Sequence, residues 1–569
     1  MRSKKGSDPH GLYRRWCENP TDETLARVYA DALMERGDSL GEVLALALEE
    51  SPASSSSDFF STLSLDRWLL MAKETARAVD PAISHVGRGP NATVTLMLTA
   101  EAWLKHRKRL REKLPISALD LTALEPEHLK SLGRPGCLGP LRSLSVNFGS
   151  RNTGAPSELQ ALLHSPDLQG LSTLGLPVAS PEALDVLVAQ PHLAALQRLR
   201  VSDSAGGEPM GTRGARALSL AAHFSQLTAL ELDSSRFGEE TFEVLSHARW
   251  PLAHLTVRRF ANEPWLEWLS RPAWATRLHS LDVSTTCLSL AKDQLPSTLR
   301  WPALKEIKVR EPTSVTTPGP HYDAVLSDWL ERVDAPCLER LRFDTQYAAA
   351  GFAAALTRQA FAPRLTTLGL TLRLNDAVMS ALAFGPWERL RVLSMGHGAL
   401  GEVGARALSA SILPRSLERL SLDAQVDNQA SEVLAKGDWR VLRSLHLNGA
   451  VGGLVSSSAF PVLEQLTGSD QHDVVEAYVR SPNSMLNALE LTGPSREELL
   501  ALASCAHASR LKKLSIVGGQ QLDDIVAQAF SASTALSPHT VYIRNAHRLT
   551  AFGKGQLMQK FRRGLMLLD

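Results

Sequence analysis

A short hydrophobic pattern, apolar-x-x-apolar-x-apolar, returns along most of this 569-residue chain, and its recurrence restricts the fold more than any other feature. It reads LRSLSV from Leu141, LSTLGL from Leu171, LQRLRV from Leu196, LTALEL from Leu227, LAHLTV from Leu252 and LHSLDV from Leu278. It continues as LKEIKV, LERLRF, LTTLGL, LRVLSM, LERLSL and LRSLHL from Leu304, Leu338, Leu365, Leu390, Leu417 and Leu442. Weaker copies begin at Leu463, Leu486, Leu511 and Pro538, while ISALDL from Ile116 and TVTLML from Thr93 precede the clear set. Most steps are about 25 to 27 residues, with longer ones where segments are inserted. Alternation puts the fourth and sixth residues of each copy on one face of a short strand and the residues between them on the other. Stretches such as RGARALSLAAHF (213–224) and EVGARALSASIL (402–413) carry Ala and Leu at helical spacing between the strands. One strand and one helix cannot bury their apolar side alone, so about seventeen units must stack into a continuous core.

The run GARALS after a strand and a glycine, at residues 214–219 and again at 404–409, resembles ribonuclease-inhibitor-type leucine-rich repeats. The resemblance implies an α/β leucine-rich-repeat solenoid: a horseshoe with a parallel sheet on the concave face, helices on the convex face and an α-helical N-terminal region. The chain departs from that family after its strands, where an asparagine ladder is replaced by Gly149, Ala179, Ser204, Ser235 or Gln346.

The first 50 residues have another character. NPTDETLARVYADALMERGDSLGEVLALALEE (19–50) predicts a helical hairpin, with Thr21 as N-cap, Asp22 and Glu23 suiting the positive helix start, and Gly37 as a stop. Leu25, Val28, Tyr29, Ala32 and Leu33 make one apolar face. The run LARVYADALMERGDSLGEVL is similar to the repeat-companion domain that accompanies leucine-rich repeats in bacterial proteins, with Ala32 where that domain has Trp. The predicted organisation is therefore 1–50 companion-like hairpin, 51–58 Ser-rich linker, 59–115 helical cap with a possible first strand, 116–550 repeat array and 551–569 C-terminal cap. Helices are expected over 59–79 and 100–113.

Charge and motifs limit the chemistry. The 61 basic and 60 acidic side chains leave a formal charge of +1, so no global field recruits nucleic acid or an anionic membrane. Five scattered cysteines without a CxxC pair point to a reduced, cytoplasmic setting, and no signal peptide or membrane span is expected. GHGALG (396–401), with Asp423 downstream, imitates a dinucleotide-binding fingerprint, but it falls between two repeat starts and the repeat accounts for it. No HExxH, Walker-type GxxxxGK, GxSxG or paired-cysteine zinc pattern is present, and His397, His446 and His507 are isolated. Neither a catalytic, cofactor nor metal site is expected. Asp31, Glu35, Asp38 and Glu42 read as a solvated helix face with Arg27 and Arg36 as ion partners. Trp250, Trp265, Trp268, Trp274 and Trp301 crowd two adjacent units, either as packing or as an aromatic contact patch.

Register also fixes which side chains leave the strands on the solvent side. Arg198, Arg200, Glu231, Asp233 and Thr256 do so, with a charge-rich stretch formed by His254, Arg258, Asp282, Glu306, Lys308, Arg310, Arg340, Arg342 and Asp344. Flanking units carry the quieter Ser143, Ser145, Thr367, Gly369 and Ser394. A row of long charged side chains suits an oppositely patterned protein or peptide, so a non-enzymatic interaction module is expected, with residues 254–344 as its working region. Two other readings stay open: a regulator of a partner enzyme, such as a GTPase-activating protein placing an Arg in the partner's site, and a nucleic-acid binder using the basic segment 105–113.

Overall fold

Apolar side chains every second residue, bounded by short polar turns, produce strands wherever the repeat places them. The computed structural model of the chain describes residues 9–20, 22–36, 44, 72–73, 75–80, 83, 85–88, 93–148, 156–178, 181–203, 211–233, 239–258, 273–284, 298–310, 322–344, 349–449, 452–467, 474–482, 484–538, 540–561 and 565–568. These divide into two compact units, Met1–Leu278 and His279–Asp569.

In the first unit β1 (His85–Arg88) pairs antiparallel with β2 (Val94–Thr99). Parallel pairing then runs in chain order through β3 (Ile116–Leu124), β4 (Ser143–Phe148), β5 (Thr173–Val178), β6 (Arg198–Asp203), β7 (Ala229–Asp233) and β8 (His254–Arg258). From β4 onward each strand begins two residues after the first leucine of its repeat. Helices return the chain between strands, and Pro126–Leu132, Pro156–Leu163 and Pro181–Val188 each begin on proline, whose fixed φ and missing N–H suit the first helical position.

The second unit continues the same plan. Its parallel sheet comprises β9 (Ser280–Ser284), β11 (Glu306–Arg310), β13 (Arg340–Asp344), β14 (Thr367–Leu370), β15 (Val392–Met395), β17 (Arg419–Val426), β18 (Ser444–Gly449), β19 (Gln465–Thr467), β20 (Ala488–Thr492), β21 (Lys513–Val517), β22 (Thr540–Arg544) and β23 (Leu565–Leu568). The short β16 (Ala399–Leu400) lies beside β17, and β10 (Leu299–Arg300) pairs with β12 (Val333–Asp334) in a separate two-stranded sheet. Helix starts are capped by side chains: Asn375 accepts from the Val378 N–H at 2.9 Å and Asp427 from that of Ala430 at 2.7 Å. Ser495 and Glu498 form a reciprocal capping box.

Both units are cored by the repeat leucines. Leu144, Leu174, Leu199, Leu281, Leu341 and Leu393 on the strands are buried, as are Leu162, Leu187, Leu218, Leu330, Leu382 and Leu408 on the helices. Just before many of the strands a carbonyl accepts two N–H groups from the next repeat. Gln197 O takes Thr228 N and Ala229 N, both at 2.9 Å, and Lys305 O takes Glu339 N and Arg340 N, both at 2.9 Å.

Three details differ from the sequence reading. Asp22, not Thr21, caps the helix Glu23–Met34, its side chain accepting from Leu25 N, because its carboxylate stands three residues before that N–H. A further helix, Pro9–Glu18, precedes it, and Tyr13, Trp16 and Tyr29 pack their rings together with centroids 5.2 to 6.2 Å apart. The predicted C-terminal cap holds the helix Ala551–Phe561 and then one more strand, β23, whose LMLL run pairs with β22. The helix at 100–113 is Ala100–Lys113, while only 72–73 and 75–79 of the expected 59–79 helix are described, all helical. Gly37, the linker 51–58 and the ladder positions Gly149, Ala179, Ser204, Ser235 and Gln346 lie outside the described residues.

Candidate functional site

The strand residues between the buried leucines point to the opposite side of the sheet, and in the second unit their register sets acids and bases side by side, with one like-charged pair. Glu306 pairs in register with Arg340, Lys308 with Arg342 and Arg310 with Asp344; on the other side Lys308 lies beside Asp282 and Glu306 beside Ser280. Lys308 Nζ lies 3.0 Å and Arg340 Nε 3.5 Å from Glu306 Oε1, while the Ser280 hydroxyl donates to Glu306 Oε2 at 3.1 Å. Arg310 donates to Asp282 at 2.8 Å. Arg342 Nε donates to both carboxylate oxygens of Asp344 at 2.9 and 3.0 Å, and the Thr371 hydroxyl donates to the same group at 2.8 Å.

These charges are layered by depth. The carboxylates of Asp282, Glu306 and Asp344 are 14%, 18% and 23% exposed, whereas Lys308, Arg340, Arg310 and Arg342 are 34%, 38%, 45% and 60% exposed. Acids thus form a floor and cations the outer layer. Burial acts to raise the Glu306 carboxyl, but the hydrogen bond and charge of Lys308, the Arg340 guanidinium and the Ser280 hydroxyl outweigh it, so its pKa lies below the ordinary glutamate value.

The first unit carries a smaller cluster on the corresponding strand positions. Arg200 Nε and Arg258 Nη1 each lie 3.3 Å from the same Glu231 oxygen, and Arg200 Nη2 lies 3.8 Å from Asp233. His254 opens β8 and is exposed. Burial raises the Asp120 carboxyl on β3, opposed by the Arg200 charge and a hydrogen bond with Ser145. Most of the residues picked from sequence thus leave the strands on the side away from the leucines, but Asp233, expected to be solvent-facing, is buried at 6% exposure because β7 sits between charged neighbours that cover it. What the sequence reading missed is the depth ordering and the supporting hydroxyl of Thr371, which follows β14 outside the repeated six-residue pattern.

The remaining sequence candidates are accounted for by packing. In GHGALG, a Cβ on Gly398, whose φ is +149°, would stand 2.1 Å from Leu374 O, and one on Gly396 would stand 2.8 Å from Thr371 backbone atoms. Gly401 N donates to Asp376 at 2.8 Å. These glycines let the turn approach the previous unit. Trp250, Trp274 and Trp301 are buried, the Trp274 indole donating to Leu245 O at 3.3 Å, while Trp265 and Trp268 lie outside the described residues. His507 Nε2 lies 2.7 Å from Tyr478 O, and Cys505 Sγ is 3.4 Å from both ring nitrogens, a contact with the imidazole face rather than along a lone pair. His446 bonds Thr467 at 2.9 Å. Burial pushes the Cys17 thiol up to about 12, against a hydrogen bond with Tyr13, so it stays protonated and unreactive. Among the described residues no group of three or more His, Cys, Asp or Glu could hold a metal ion, and no helix is long and apolar enough to cross a membrane.

Comparison with known proteins gives only weak likenesses. No family model and no curated protein matches the chain. Solved structures do: the crystal structure of the Rad7 and Elc1 complex in yeast is 12% identical over 91% of this chain and 98% of that chain, with a TM-score of 0.30. The functional domain of InlJ from Listeria monocytogenes, which includes a cysteine ladder, is 12% identical over 64% of this chain and 70% of that chain, with a TM-score of 0.28. Likenesses this weak say nothing of function, and the fold description rests on the strand pairings.

Proposed function

We propose that the chain is a non-enzymatic protein-interaction module whose solvent-facing strand residues hold a protein or peptide partner. The observation that carries this reading is the oriented layer of cations in the second unit, each held by a carboxylate beneath it. Long side chains that are already ordered lose less freedom on binding, so an interface built on them starts with a smaller ordering cost. Arg342 meets the Asp344 carboxylate through Nε, and a guanidinium carries five N–H donors in all.

In this reading the sheet face is the concave face of a leucine-rich-repeat horseshoe, with residues 1–50 as a companion-like hairpin, 51–58 as linker, 59–115 and 551–569 as caps and 116–550 as the array. The scattered cysteines support a reducing, cytoplasmic setting, and the companion-like run supports a bacterial source.

Affinity capture with charge reversal at Arg310, Arg340 and Arg342 tests the reading, beside a control reversed at Arg358 and Arg406, which lie off the strands. Loss of captured proteins in the strand variant alone is the expected result. Identical captured sets in wild type and strand variant would overturn it.

A further inference from the structure

We propose that the sheet face of the second unit binds an acidic polypeptide segment, seated on a floor of small side chains beside a cationic wall. This rests on the interaction reading above and names the chemistry of the occupant. The wall is Arg340 and Arg342 on β13, backed by Lys308 and Arg310 on β11. The far side is mixed, with Arg419 and the exposed Asp423 on β17 and His446 on β18, so the positive charge is concentrated on the β13 side. Between them, in register with Arg342, stand Gly369, Ser394 and Ser421.

Strands lie about 4.8 Å apart, so the three spacings from β13 to β17 open a trough about 14 Å wide. A helix with its side chains is about 10–12 Å across, and an extended chain is narrower. The Arg342 stem lies against the gap that Gly369 leaves, its Cγ 3.4 Å from where a Cβ would stand. The Arg342 side chain, 60% exposed and bonded through Nε to Asp344, thus borders the trough. Outermost positive charge over a floor without bulk favours an occupant that brings carboxylates.

A polypeptide fits this pattern better than a nucleic acid. The four cations of β11 and β13 stand over three carboxylates, Asp282, Glu306 and Asp344, so the face has little net charge to hold a phosphate chain that carries a charge about every 3.4 Å per strand. An acidic segment can space its carboxylates to meet the cations alone.

Ser394 is exposed at the centre of the floor, so its substitution changes the trough without touching the core. The full chain is titrated with a labelled alternating Glu-Ala peptide, its Lys-Ala counterpart and poly(U) RNA, at low and physiological salt. The wild type is expected to bind the Glu-Ala peptide alone, more weakly as salt rises. Ser394→Glu is expected to weaken binding about tenfold and Ser394→Lys to tighten it by a similar factor, with unchanged thermal melts. Arg342→Gln weakens it too. Absent Glu-Ala binding, or an equal response to both charges at position 394, overturns the proposal. So does poly(U) binding that exceeds the peptide's and is lost in Ser394→Glu.

A Ser394→Trp variant in the capture experiment separates the two readings. If it removes the captured partner although the Glu-Ala peptide does not bind, the interaction face stands and the acidic occupant falls. If it removes nothing and the peptide does not bind, both fall.

Discussion

Glu306 is the residue at which the charged face and the stability of the fold meet. Its carboxyl titrates below the ordinary glutamate value, so its interactions with Lys308, Arg340 and Ser280 are fully present above the unfolded-state pKa of about 4.3 and are lost as pH falls through the lower folded value. Replacing Glu306 by Gln is expected to cost about 1 kcal/mol at neutral pH. That deficit stays constant down to about pH 5 and closes in more acid solution, as urea denaturation across a pH series would show. At Gly398 backbone rather than charge decides the outcome: Gly398→Ala should cost about 3 kcal/mol or more, read as a lower midpoint of thermal unfolding. The glycine motif was legible in sequence, but its reason was not. Close approach to Leu374 O belongs to the neighbouring unit, which local sequence does not record.

Successive helices are tied by carboxylates at their starts. Asp323 accepts from Ala349 N at 2.7 Å and Phe352 N at 3.0 Å, Asp376 accepts from Gly401 N, and Asp524 accepts from Thr550 N at 3.0 Å. Each caps the helix of the following unit. Asp323→Ala should therefore cost about 1–2 kcal/mol in chemical denaturation, and Asp323→Asn, which keeps an acceptor oxygen, distinctly less. At this scale the sequence is a good guide wherever periodicity is strong. Apart from β10, β12 and β16, the strands from β4 to β22 each begin inside a copy of the apolar pattern. It is a poor guide where an element exists only because a neighbour accepts it. β1 has a sparse HVGR sequence and pairs with β2, and β23 has a run of apolar residues without alternation that reads equally as helix.

Stacked units depend on their ends as much as on their interiors. Removing residues 551–568 bares the far edge of β22, with its Val541 and Ile543 pairing groups, and should lower the unfolding midpoint and raise the apparent mass in size-exclusion chromatography. The candidate face was legible in its membership, because a period of two assigns Arg310, Arg340 and Arg342 to the solvent side. Its layering was not. Whether Glu306 or Lys308 lies deeper depends on which rotamer each side chain takes against residues one and two strands away.

The paired acceptors that open many of the strands, such as Lys305 O receiving Glu339 N and Arg340 N, have a bearing on how such a surface can change. They join unit to unit through main chain alone. Side chains on the solvent side of the strands therefore spell a message on a frame that does not read it. The frame can be inherited intact while much of the message is rewritten one letter at a time, and only letters bound to their neighbours, as Glu306 is, answer to the fold as well as to a partner.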